Sequence, residues 1–392
     1  MHSELLQPDI QQYIIDGTGT DTAKLALHRN PFPHVAFTDI LNQIAGRTKA
    51  RDKLPTWFSA ANILYPPKIS LEQTSSETTA KYKASLVSGE KLIDLTGGFG
   101  VDDFYFSKHV AEVVHCELND ELQVIAQHNF EVLGATNIRS ISGDSLEILR
   151  GSQQLYDWIY IDPSRRSDAK GKVFMLSDCL PNVPDLLPTY FKYADHILIK
   201  AAPILDLSSA IAELQSVYEI HIVAIENEVK ELLFLLNKDA GDNLNIKTIN
   251  FTKSNQQVFE FDNNSDVDAT LGYPAKYLYE PNSAIMKSGG FDVVGFHFGL
   301  FKLHKHSHLY TSDELVSDFP GRVFEIRNRL PYNKNSMREF LQNTKANITT
   351  RNFPETVDVI RSKWKIKDGG DRYCFFTTNL SEEKIALICT KL

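Results

Sequence analysis

The first 88 residues carry apolar side chains at the spacing of amphipathic helices. Two helix-like stretches, LQPDIQQYIID and FTDILNQIAGRTKARDKL, are separated by the proline-containing segment NPFPH. A further helix is expected over ETTAKYKA, because Ser75 or Ser76 directly before it is a favourable N-cap. No alternating strand pattern occurs among them, so residues 1–88 are predicted to form a helical N-terminal region.

Residues 91–237 change to short apolar runs that alternate with helical stretches. The runs KLIDLTG, VVHCEL, IRSISGD, YDWIYIDP and HILIKAAP are predicted to be parallel strands, with helices packed on both faces of their sheet. The next two runs, EIHIVAIEN and EVKELLFLLN, follow each other too closely for a helical crossover. They are predicted to form an antiparallel hairpin, and the predicted fold class is therefore α/β and Rossmann-like.

The residues after 237 are predicted to form further strands and then a smaller α+β region. NLNIKTINF and QQVFEFD are typical of strands, and the polar stretch DNNSDVDAT is typical of a linker. A strand–helix–strand pattern follows, and residues 322–392 then have the order strand, helix, strand, helix, strand, strand, which is typical of a ferredoxin-like unit. We place the predicted domains at residues 1–88, 89–262, 275–319 and 320–392.

Net charge separates an acidic part of the chain from a basic part. The whole chain carries −9 at pH 7, whereas residues 275–392 hold 18 Lys and Arg against 13 Asp and Glu. A basic module can hold a polyanion locally, although this excess also fits an ordinary solvated surface. No apolar run reaches the ~18–20 residues of a membrane span, and the first residues lack a signal-peptide pattern. With four cysteines far apart, a cytoplasmic protein without membrane contact is expected.

A glycine-rich turn, with Gly97, Gly98 and Gly100 in DLTGGFGVDD, joins the first predicted strand to a short helix. Glycines let the backbone turn sharply and let a ligand approach it closely. Glu117 ends the next predicted strand about 20 residues later, where a carboxylate accepts both hydroxyls of a ribose. The turn and the acid together predict a nucleoside-containing ligand, and the alternative is an α/β protein that binds nothing here.

The residue types around the turn select among nucleosides. The dinucleotide fingerprint needs a third glycine where this chain has Asp103, and Asp102 with Asp103 would repel a pyrophosphate. S-adenosyl-L-methionine has no phosphate and carries a sulfonium and an ammonium, so it fits this acidic turn. Asp94, at the end of the first strand, is predicted to hold the ammonium directly or through water. Asp144 is predicted to accept a hydrogen bond from the adenine amine or to cap the following helix, and the two roles are compatible.

The segment YIDPSRR places Asp162 and Pro163 at the carboxyl end of the fourth predicted strand, where open α/β sheets bind ligands. Asp162 is predicted to orient the methyl acceptor and Pro163 to stiffen the turn, since methyl transfer depends mainly on positioning. Arg165 and Arg166 are candidates for clamping a phosphate or carboxylate of the substrate. Lys200, at the end of the next strand, is a candidate for binding the substrate at the same edge of the sheet. In the alternative interpretation, Asp-Pro simply makes a turn and both arginines are solvated.

Four segments together resemble a known family: DLTGGFGVDD, DPSRR, QTSSETTAKYK and the tail YLYEP…FPGRVFEI. They are similar to bacterial class I methyltransferases that carry a THUMP-like C-terminal domain. The resemblance implies a seven-stranded sheet with an antiparallel last strand, S-adenosylmethionine as methyl donor, and a ferredoxin-like unit followed by a THUMP-like unit that binds RNA. By position it implies Asp162 as the acceptor-side residue and a donor site of Asp94, Gly97, Gly98, Gly100, Glu117 and Asp144. We add Pro163 and Arg165 to the predicted catalytic corner, and Thr96, which departs from the family by standing where its turn has glycine, to the predicted donor site.

Two departures from related enzymes narrow the acceptor. Enzymes that methylate exocyclic amines of bases usually have Asp/Asn-Pro-Pro and then an aromatic residue, whereas Ser164 and Arg165 occupy those places here. Methylation at uracil C5 needs a cysteine nucleophile, and neither Cys116 nor Cys179 has a base partner by motif. Three hypotheses stay open: an RNA methyltransferase, a methyltransferase of another acceptor, and a non-catalytic RNA-binding or partner-binding protein on this scaffold.

A basic cluster surrounds the loop NRLPYNKNSMR in the tail. Positive charge beside an aromatic residue suits looped or single-stranded RNA, and the alternative is a solvated surface with one exposed tyrosine. The candidate substrate-binding residues are Arg327, Arg329, Tyr332 and Lys334, together with Arg166 and Lys200 near the cleft; Arg322, Arg338 and Arg351 complete the cluster.

The segment HKHSH holds three histidines at alternate positions: His304, His306 and His308. If it is a strand, the three imidazoles share one face and could bind zinc or meet a phosphate. No fourth ligand pattern accompanies them, so a polar exposed face is the favoured interpretation and no metal is expected.

Overall fold

The structure is a computed structural model that describes residues 3–165 and 175–392. Arg166, one of the predicted substrate-binding residues, lies outside the described residues. The chain divides into two compact units, one made of Met1–Ser216 with Phe234–Ala240 and the other of Val217–Leu233 with Gly241–Leu392. No helix in the described part of the chain combines the length and the apolar content that crossing a membrane requires.

The first unit starts with a layer of helices, as the apolar spacing predicts. Their inward faces bury Ile10, Ile40 and Trp57 completely. The last helix begins after Ser76, whose hydroxyl oxygen accepts a hydrogen bond from the Thr79 amide at 3.2 Å and so satisfies one free N–H of the first turn. After a 3₁₀ turn at Ser3–Leu6, the helices are α1 (Pro8–Asp16), α2 (Thr22–Leu25), α3 (Phe37–Lys53), α4 (Pro55–Ser59), α5 (Lys68–Gln73) and α6 (Glu77–Ala84).

Five parallel strands form the centre of the first unit. Ile93 and Ile159 in their middle are fully buried, as expected for a parallel sheet. The register places Asp94 beside His115 on one side and Tyr160 on the other, so three strand ends meet at one edge. The strands are β1 (Gly89–Asp94), β2 (Val110–Glu117), β3 (Ile138–Ser142), β4 (Tyr156–Ile161) and β7 (Ala194–Ala201), with β5 (Ser164–Arg165) and β6 (Cys179–Leu180) as a separate short pair. The helices among them are α7 (Val101–Phe106), α8 (Asp120–Val132), α9 (Ser145–Gly151), α10 (Val183–Tyr190) and α11 (Leu207–Glu213), with a 3₁₀ turn at Leu176–Asp178.

Four further strands complete the large sheet: β8 (Val217–Ile225), β9 (Glu228–Asn237), β10 (Asn245–Phe251) and β11 (Gln256–Asp262). The strand order is β11-β10-β8-β9-β7-β4-β1-β2-β3. The predicted hairpin is present, since β8 and β9 are neighbours joined by two residues, Glu226 and Asn227, whose φ angles of 49° and 65° suit a tight turn.

The sheet has nine strands, so the predicted number of seven is wrong. Strand β10 pairs in parallel with β8, and β11 pairs antiparallel with β10 at the edge. Both segments were predicted to be strands from their apolar pattern. A local pattern does not say which sheet a strand joins, because that depends on a partner elsewhere in the chain.

A second sheet of seven strands lies in the C-terminal part of the second unit. For residues 322–392 the predicted order of elements along the chain, strand, helix, strand, helix, strand, strand, is confirmed. The helices are α12 (Ser283–Ser288), α13 (Phe291–His297), α14 (Lys334–Phe340) and α15 (Val357–Trp364). The strands are β12 (Tyr277–Pro281), β13 (Phe301–Lys302), β14 (Tyr310–Ser312), β15 (Gly321–Pro331), β16 (Asn347–Arg351), β17 (Arg372–Thr378) and β18 (Lys384–Lys391), in the order β13-β14-β12-β15-β18-β17-β16.

The HKHSH segment is not a strand. It forms turns between β13 and β14, because β13 ends at Lys302. The Nε2 atom of His304 lies 2.8 Å from Glu382 Oε1. The His308 ring stacks on Phe291 with ring centroids 3.6 Å apart. Two of the three imidazoles therefore have separate partners of their own, and the shared face considered from alternation does not exist.

Candidate functional site

The loop between β1 and α7 holds the three predicted glycines, and they are needed for different reasons. A Cβ on Gly97 would lie 2.3 Å from the His115 ring, and one on Gly100 would lie 2.3 Å from the Phe130 ring. Gly98 is different, since its φ is +57° and, of the atoms in residues 3–165 and 175–392, a Cβ there would meet only a backbone oxygen at 3.7 Å. Gly98 therefore leaves open space beside the loop, and a ligand has room to approach there.

Glu117, at the end of β2, holds this loop in place. Its Oε2 accepts a hydrogen bond from the Gly98 amide at 2.8 Å, and its Oε1 accepts one from the Asn119 amide at 2.7 Å. The side chain is half-buried. A carboxylate has about four lone-pair sites, so two protein donors leave acceptor capacity for a ribose hydroxyl.

Asp94 and Thr96 connect the ends of β1 and β4. Asp94 is buried, and its Oδ1 accepts hydrogen bonds from the Thr96 amide at 2.7 Å and the Thr96 hydroxyl at 3.0 Å. The same hydroxyl oxygen accepts a hydrogen bond from the Asp162 amide at 2.7 Å. Burial raises the pKa of Asp94 to about 8. The negative charges of Asp102 and Asp162 also raise this pKa, whereas the hydrogen bonds from Thr96 lower it. Thr96 thus positions two predicted site residues.

The acceptor side of the candidate site is built by β4 and β7. The Asp162 carboxylate forms an ion pair with Lys200, and Pro163 after it is buried. Arg165 pairs through its backbone with Cys179 in the short β5–β6 ladder. The structure therefore brings Asp162 and Lys200 together, as their positions at neighbouring strand ends predict.

A buried ion pair beside the loop was missed by sequence reasoning. Lys83 in α6 has no exposed surface, and its Nζ lies 3.2 Å from Asp102 Oδ1 in the first turn of α7. The hydroxyls of Ser75 and Tyr160 each donate a hydrogen bond of 2.8 Å to Asp102 Oδ2. Burial opposes the charge of Asp102, but the charges of Lys83 and Lys200 outweigh it and hold the pKa of that carboxyl below its usual value.

The sequence did contain a signal for Lys83. The buried positions of α6 include Thr79, Ala80, Lys83 and Ala84, which are spaced as one face of a helix. A lysine in that series faces the interior, and a buried lysine requires a negative partner.

The helical layer of the first unit packs against the loop as well. Trp57 in α4 is fully buried, and its ring centroid lies 6.3 Å from that of Phe99 and 4.9 Å from that of Phe104. Thr56 accepts a hydrogen bond from the Tyr105 hydroxyl at 3.2 Å. The sequence left the role of residues 1–88 open, and these contacts make that region part of the wall around the loop.

A neutral histidine lies on the other side of the loop. His115 is buried, with Nδ1 2.8 Å from Ser140 Oγ and Nε2 3.3 Å from the Gly98 carbonyl oxygen. Burial lowers the pKa of His115 to about 4, so the imidazole is uncharged at pH 7. Its Nε2 is also 3.9 Å from Asp103 Oδ2.

Asp144 has the capping role that was considered for it. Its side chain is exposed and accepts a hydrogen bond from the Glu147 amide at 3.0 Å at the start of α9. The second carboxylate oxygen is not used in this cap, and the predicted contact with adenine stays a prediction.

The predicted RNA-binding residues lie in the second unit. Arg327 and Arg329 are exposed on β15, where Arg327 is 2.8 Å from Glu325 and Arg329 donates a hydrogen bond to the Ala275 carbonyl. Tyr332 and Lys334 help to line a groove of about 390 Å³, whose other lining residues are Asn333, Arg338, Gln342, Lys363 and Trp364.

Tyr332 is more enclosed than the sequence interpretation assumed. Its hydroxyl donates to Glu355 at 2.8 Å and accepts from Lys363 and Trp364 at 3.2 Å each. Its ring makes an edge contact with Phe353. Tyr332 is therefore a fixed part of the groove lining, while the exposed Lys334 and Arg338 supply positive charge there.

Two arginines of the predicted basic cluster serve an internal ion pair. Glu280 is buried, and its two oxygens bind Arg322 and Arg351, the latter at 3.0 Å. A buried carboxylate needs such partners, because it is costly to bury unpaired. These two guanidinium groups are therefore committed to the protein itself.

The whole chain is similar to the crystal structure of a proposed methyltransferase from Porphyromonas gingivalis W83. The two are 31% identical over 99% of this chain and 98% of that chain, with a TM-score of 0.87. Residues 277–320 match the ferredoxin-like domain family, and residues 321–391 match the family described as THUMP domain-like. The ferredoxin-like match therefore falls on residues 277–320 and not on residues 322–392, whose element order suggested it. No curated protein matches the chain.

Two other solved structures are similar to a smaller part of the chain. The M. jannaschii tRNA m1G37 methyltransferase is 12% identical over 42% of this chain and 51% of that chain, with a TM-score of 0.30. M. capricolum TrmK, solved in complex with S-adenosylhomocysteine, is 15% identical over 41% of this chain and 68% of that chain, with a TM-score of 0.32.

Proposed function

This chain belongs to the family of methyltransferases that carry ferredoxin-like and THUMP-like domains at the C-terminus, and we propose that it methylates RNA with S-adenosyl-L-methionine as donor. The loop at Gly98 carries the proposal. The amide of Gly98 is bound to Glu117, while the direction of its missing side chain is open. A loop that is fixed on one side and uncrowded by described residues on the other suits a nucleoside beside an acid.

The acidic groups around the loop support a donor without phosphate. Bound S-adenosylmethionine supplies a methyl group on a positively charged sulfur, which makes that carbon electrophilic. In this proposal Glu117 accepts the ribose hydroxyls, Asp144 lies near the adenine, and Asp94 attracts the ammonium.

Asp162 and Lys200 are the proposed acceptor-side groups. The lysine fixes the orientation of the Asp162 carboxylate, which then holds the acceptor in line with the methyl group. Pro163 limits the backbone freedom of this corner. Arg165 and Arg166 are proposed to bind a phosphate of the substrate near it.

Direct displacement is the proposed chemistry, without a covalent intermediate on cysteine. Cys116 and Cys179 are buried, with 1% and 0% of their surface exposed. Burial raises the pKa of the Cys116 thiol, with the charges of Asp94 and Asp103 adding to the effect. A thiol held in this state is a poor nucleophile.

The C-terminal units support RNA as the acceptor. The THUMP-like match and the groove with Lys334 and Arg338 lie in the same part of the chain. We also propose that the chain has a helical N-terminal region at residues 1–88, a methyltransferase domain at 89–262, a ferredoxin-like unit at 275–319 and a THUMP-like domain at 320–392. We also propose a cytoplasmic location, which fits four buried cysteines without a disulfide.

Two measurements test the function. Calorimetric titration with S-adenosylhomocysteine tests the donor site, and saturable binding is expected. Mass spectrometry of nucleosides from total RNA, with and without the protein, tests the acceptor. We expect one methylated nucleoside to depend on the wild-type chain and to be lost with Asp162→Asn. If S-adenosylhomocysteine binds but no RNA nucleoside changes, another acceptor is favoured. If S-adenosylhomocysteine does not bind, the chain is a non-catalytic protein on this scaffold.

A further inference from the structure

Four aspartates in the described part of the chain lie around the loop, and two of them have a lysine partner. Asp102 lies 3.2 Å from Lys83 Nζ, and Asp162 is ion-paired with Lys200. These two carboxylates are therefore compensated by positive charge. The other two aspartates have no lysine or arginine partner among residues 3–165 and 175–392.

Asp94 and Asp103 are this second pair, and both are buried, with 1% and 0% of their surface exposed. Asp94 accepts both of its Thr96 hydrogen bonds through one oxygen. Neither oxygen of Asp103 has a hydrogen-bond partner among the described residues, although both are buried. After burial, the Asp94 carboxyl is the group that raises the pKa of Asp103 most. Two carboxyl groups form a hydrogen bond only when one of them is protonated.

The remaining groups that face the pair do not supply a positive charge. His115 Nε2 is 3.9 Å from Asp103, but burial lowers the pKa of that imidazole to about 4. Cys116 is a buried thiol whose pKa is raised. Burial also raises the pKa of both acids, that of Asp94 to about 8, so protonation relieves the cost of burying them.

We propose that Asp103 is a positioning residue of the donor site: its protonated carboxyl donates a hydrogen bond to Asp94, and Asp94 gives up its own proton when the positive amino-acid end of the donor binds at the Gly98 loop. The inference rests on the proposed function. The proton leaves to solvent, and the ammonium of the ligand replaces it as the charge that faces Asp94. Asp103 keeps its proton and stabilises the Asp94 carboxylate.

This exchange makes the site selective for ligands that carry the amino-acid end. S-adenosylhomocysteine carries an ammonium, whereas 5′-methylthioadenosine has the same nucleoside without that end. Binding of the first ligand should release a proton, and binding of the second should not.

The wild-type chain alone tests this. Each ligand is titrated calorimetrically at pH 7 in two buffers of different ionisation enthalpy, which gives the number of protons released. We expect up to about one proton with S-adenosylhomocysteine and an affinity that rises by up to about tenfold per pH unit between roughly pH 6 and 8. We expect neither effect with 5′-methylthioadenosine.

The outcomes separate the two proposals. Equal proton counts and parallel pH profiles for the two ligands would overturn the inference while leaving the donor site intact. Failure of both ligands to bind would remove the proposed function and the inference together.

Two variants of Asp103 isolate its hydrogen bond. Asp103→Leu removes the donor, whereas Asp103→Asn keeps a donor of similar size. We expect about tenfold weaker binding of S-adenosylhomocysteine at pH 7 with leucine, near-wild-type binding with asparagine, and unchanged binding of 5′-methylthioadenosine with both. Asp239→Asn, at an exposed position, is the matched control. The inference would be overturned if Asp103→Leu and Asp103→Asn lost the same affinity for S-adenosylhomocysteine, or if Asp103→Leu lost none. If Asp103→Leu does not fold, the proton count and pH profile of the wild-type chain decide.

Discussion

The Gly98 amide donates a 2.8 Å hydrogen bond to Glu117 Oε2, which ties the loop after β1 to the end of β2. The other oxygen of Glu117 accepts the Asn119 amide at 2.7 Å. One carboxylate thus fixes two backbone segments, in addition to the ribose contact proposed for it. The shape of the loop and its proposed affinity for a nucleoside should therefore depend on the same side chain.

Glu117→Gln should weaken donor binding more than it changes stability. Glutamine offers one acceptor oxygen instead of two and carries no charge, so one backbone amide loses its partner. We expect the affinity for S-adenosylhomocysteine to fall about 10- to 100-fold, as for the loss of hydrogen bonds to a charged group. Calorimetry measures the affinity, and Glu131→Gln on the exposed face of α8 is the control. Wild-type affinity in Glu117→Gln would contradict the role of this acid.

Gly98→Ala should block the ligand without an unusual loss of stability. Gly134 is a matched control, because its φ is +72° and a Cβ there meets nothing within 4 Å. Alanine at either position should cost roughly 1–2 kcal/mol for the left-handed backbone. The thermal unfolding midpoints of Gly98→Ala and Gly134→Ala should therefore fall together, while only Gly98→Ala loses S-adenosylhomocysteine binding. Equal binding by both variants would show that the open space is not the ligand site.

The sequence was sufficient to predict this turn but not all the reasons for its glycines. The strand, the turn and the acid at the end of the next strand are local patterns. Gly97 and Gly100, however, are required by the rings of His115 and Phe130, which lie further along the chain. That requirement follows from packing between β2, α8 and the loop, and it leaves no local mark in the sequence.

The sheet and the helical layer show the same limit. The strands β10 and β11 were predicted as elements, but their place in a nine-stranded sheet depends on pairing with β8. Likewise, the helices of residues 1–88 were predicted, while their contacts with the loop were not. Pairing and packing partners are distant in sequence, so local periodicity predicts the elements and leaves their neighbours open.

Lys83→Met should destabilise the first unit, because it leaves the Asp102 carboxylate, whose side chain is only 12% exposed, without its ion-pair partner. Breaking one side of a buried pair costs about 3–5 kcal/mol. The control is Lys81→Met in the same helix, whose lysine is 59% exposed and pairs with Glu77, so a loss of less than about 1 kcal/mol is expected. Urea unfolding followed by circular dichroism measures both.

The double variant Lys83→Met/Asp102→Asn provides a check on this explanation. It removes both charges, so it should recover part of the stability lost in Lys83→Met alone. Additive losses in the double variant would mean that the two side chains act independently.

The stability of the ligand-free protein should fall as the pH rises towards 8. Burial raises the pKa of Asp94 from 3.8 to about 8, so between these values the folded state binds a proton that the unfolded state has lost. Under this condition the free energy of unfolding decreases with increasing pH. Thermal unfolding between pH 5 and 8 should show a steeper decline for the wild type than for Asp94→Asn. Identical slopes would show that Asp94 titrates normally.

Charge reversal in the groove should weaken RNA binding while leaving the donor site unchanged. Lys334 and Arg338 are exposed there, and each contact with a phosphate adds about 0.7 to the slope of log affinity against log salt for a single strand. Lys334→Glu and Arg338→Glu should each reduce RNA retention and this slope, with unchanged affinity for S-adenosylhomocysteine. Lys253→Glu makes the same charge change at another exposed position of the second unit. A contact in the groove is affected by the variants of Lys334 and Arg338 but not by Lys253→Glu. If Lys253→Glu weakens RNA binding as much as they do, the net charge of the protein rather than the groove is responsible.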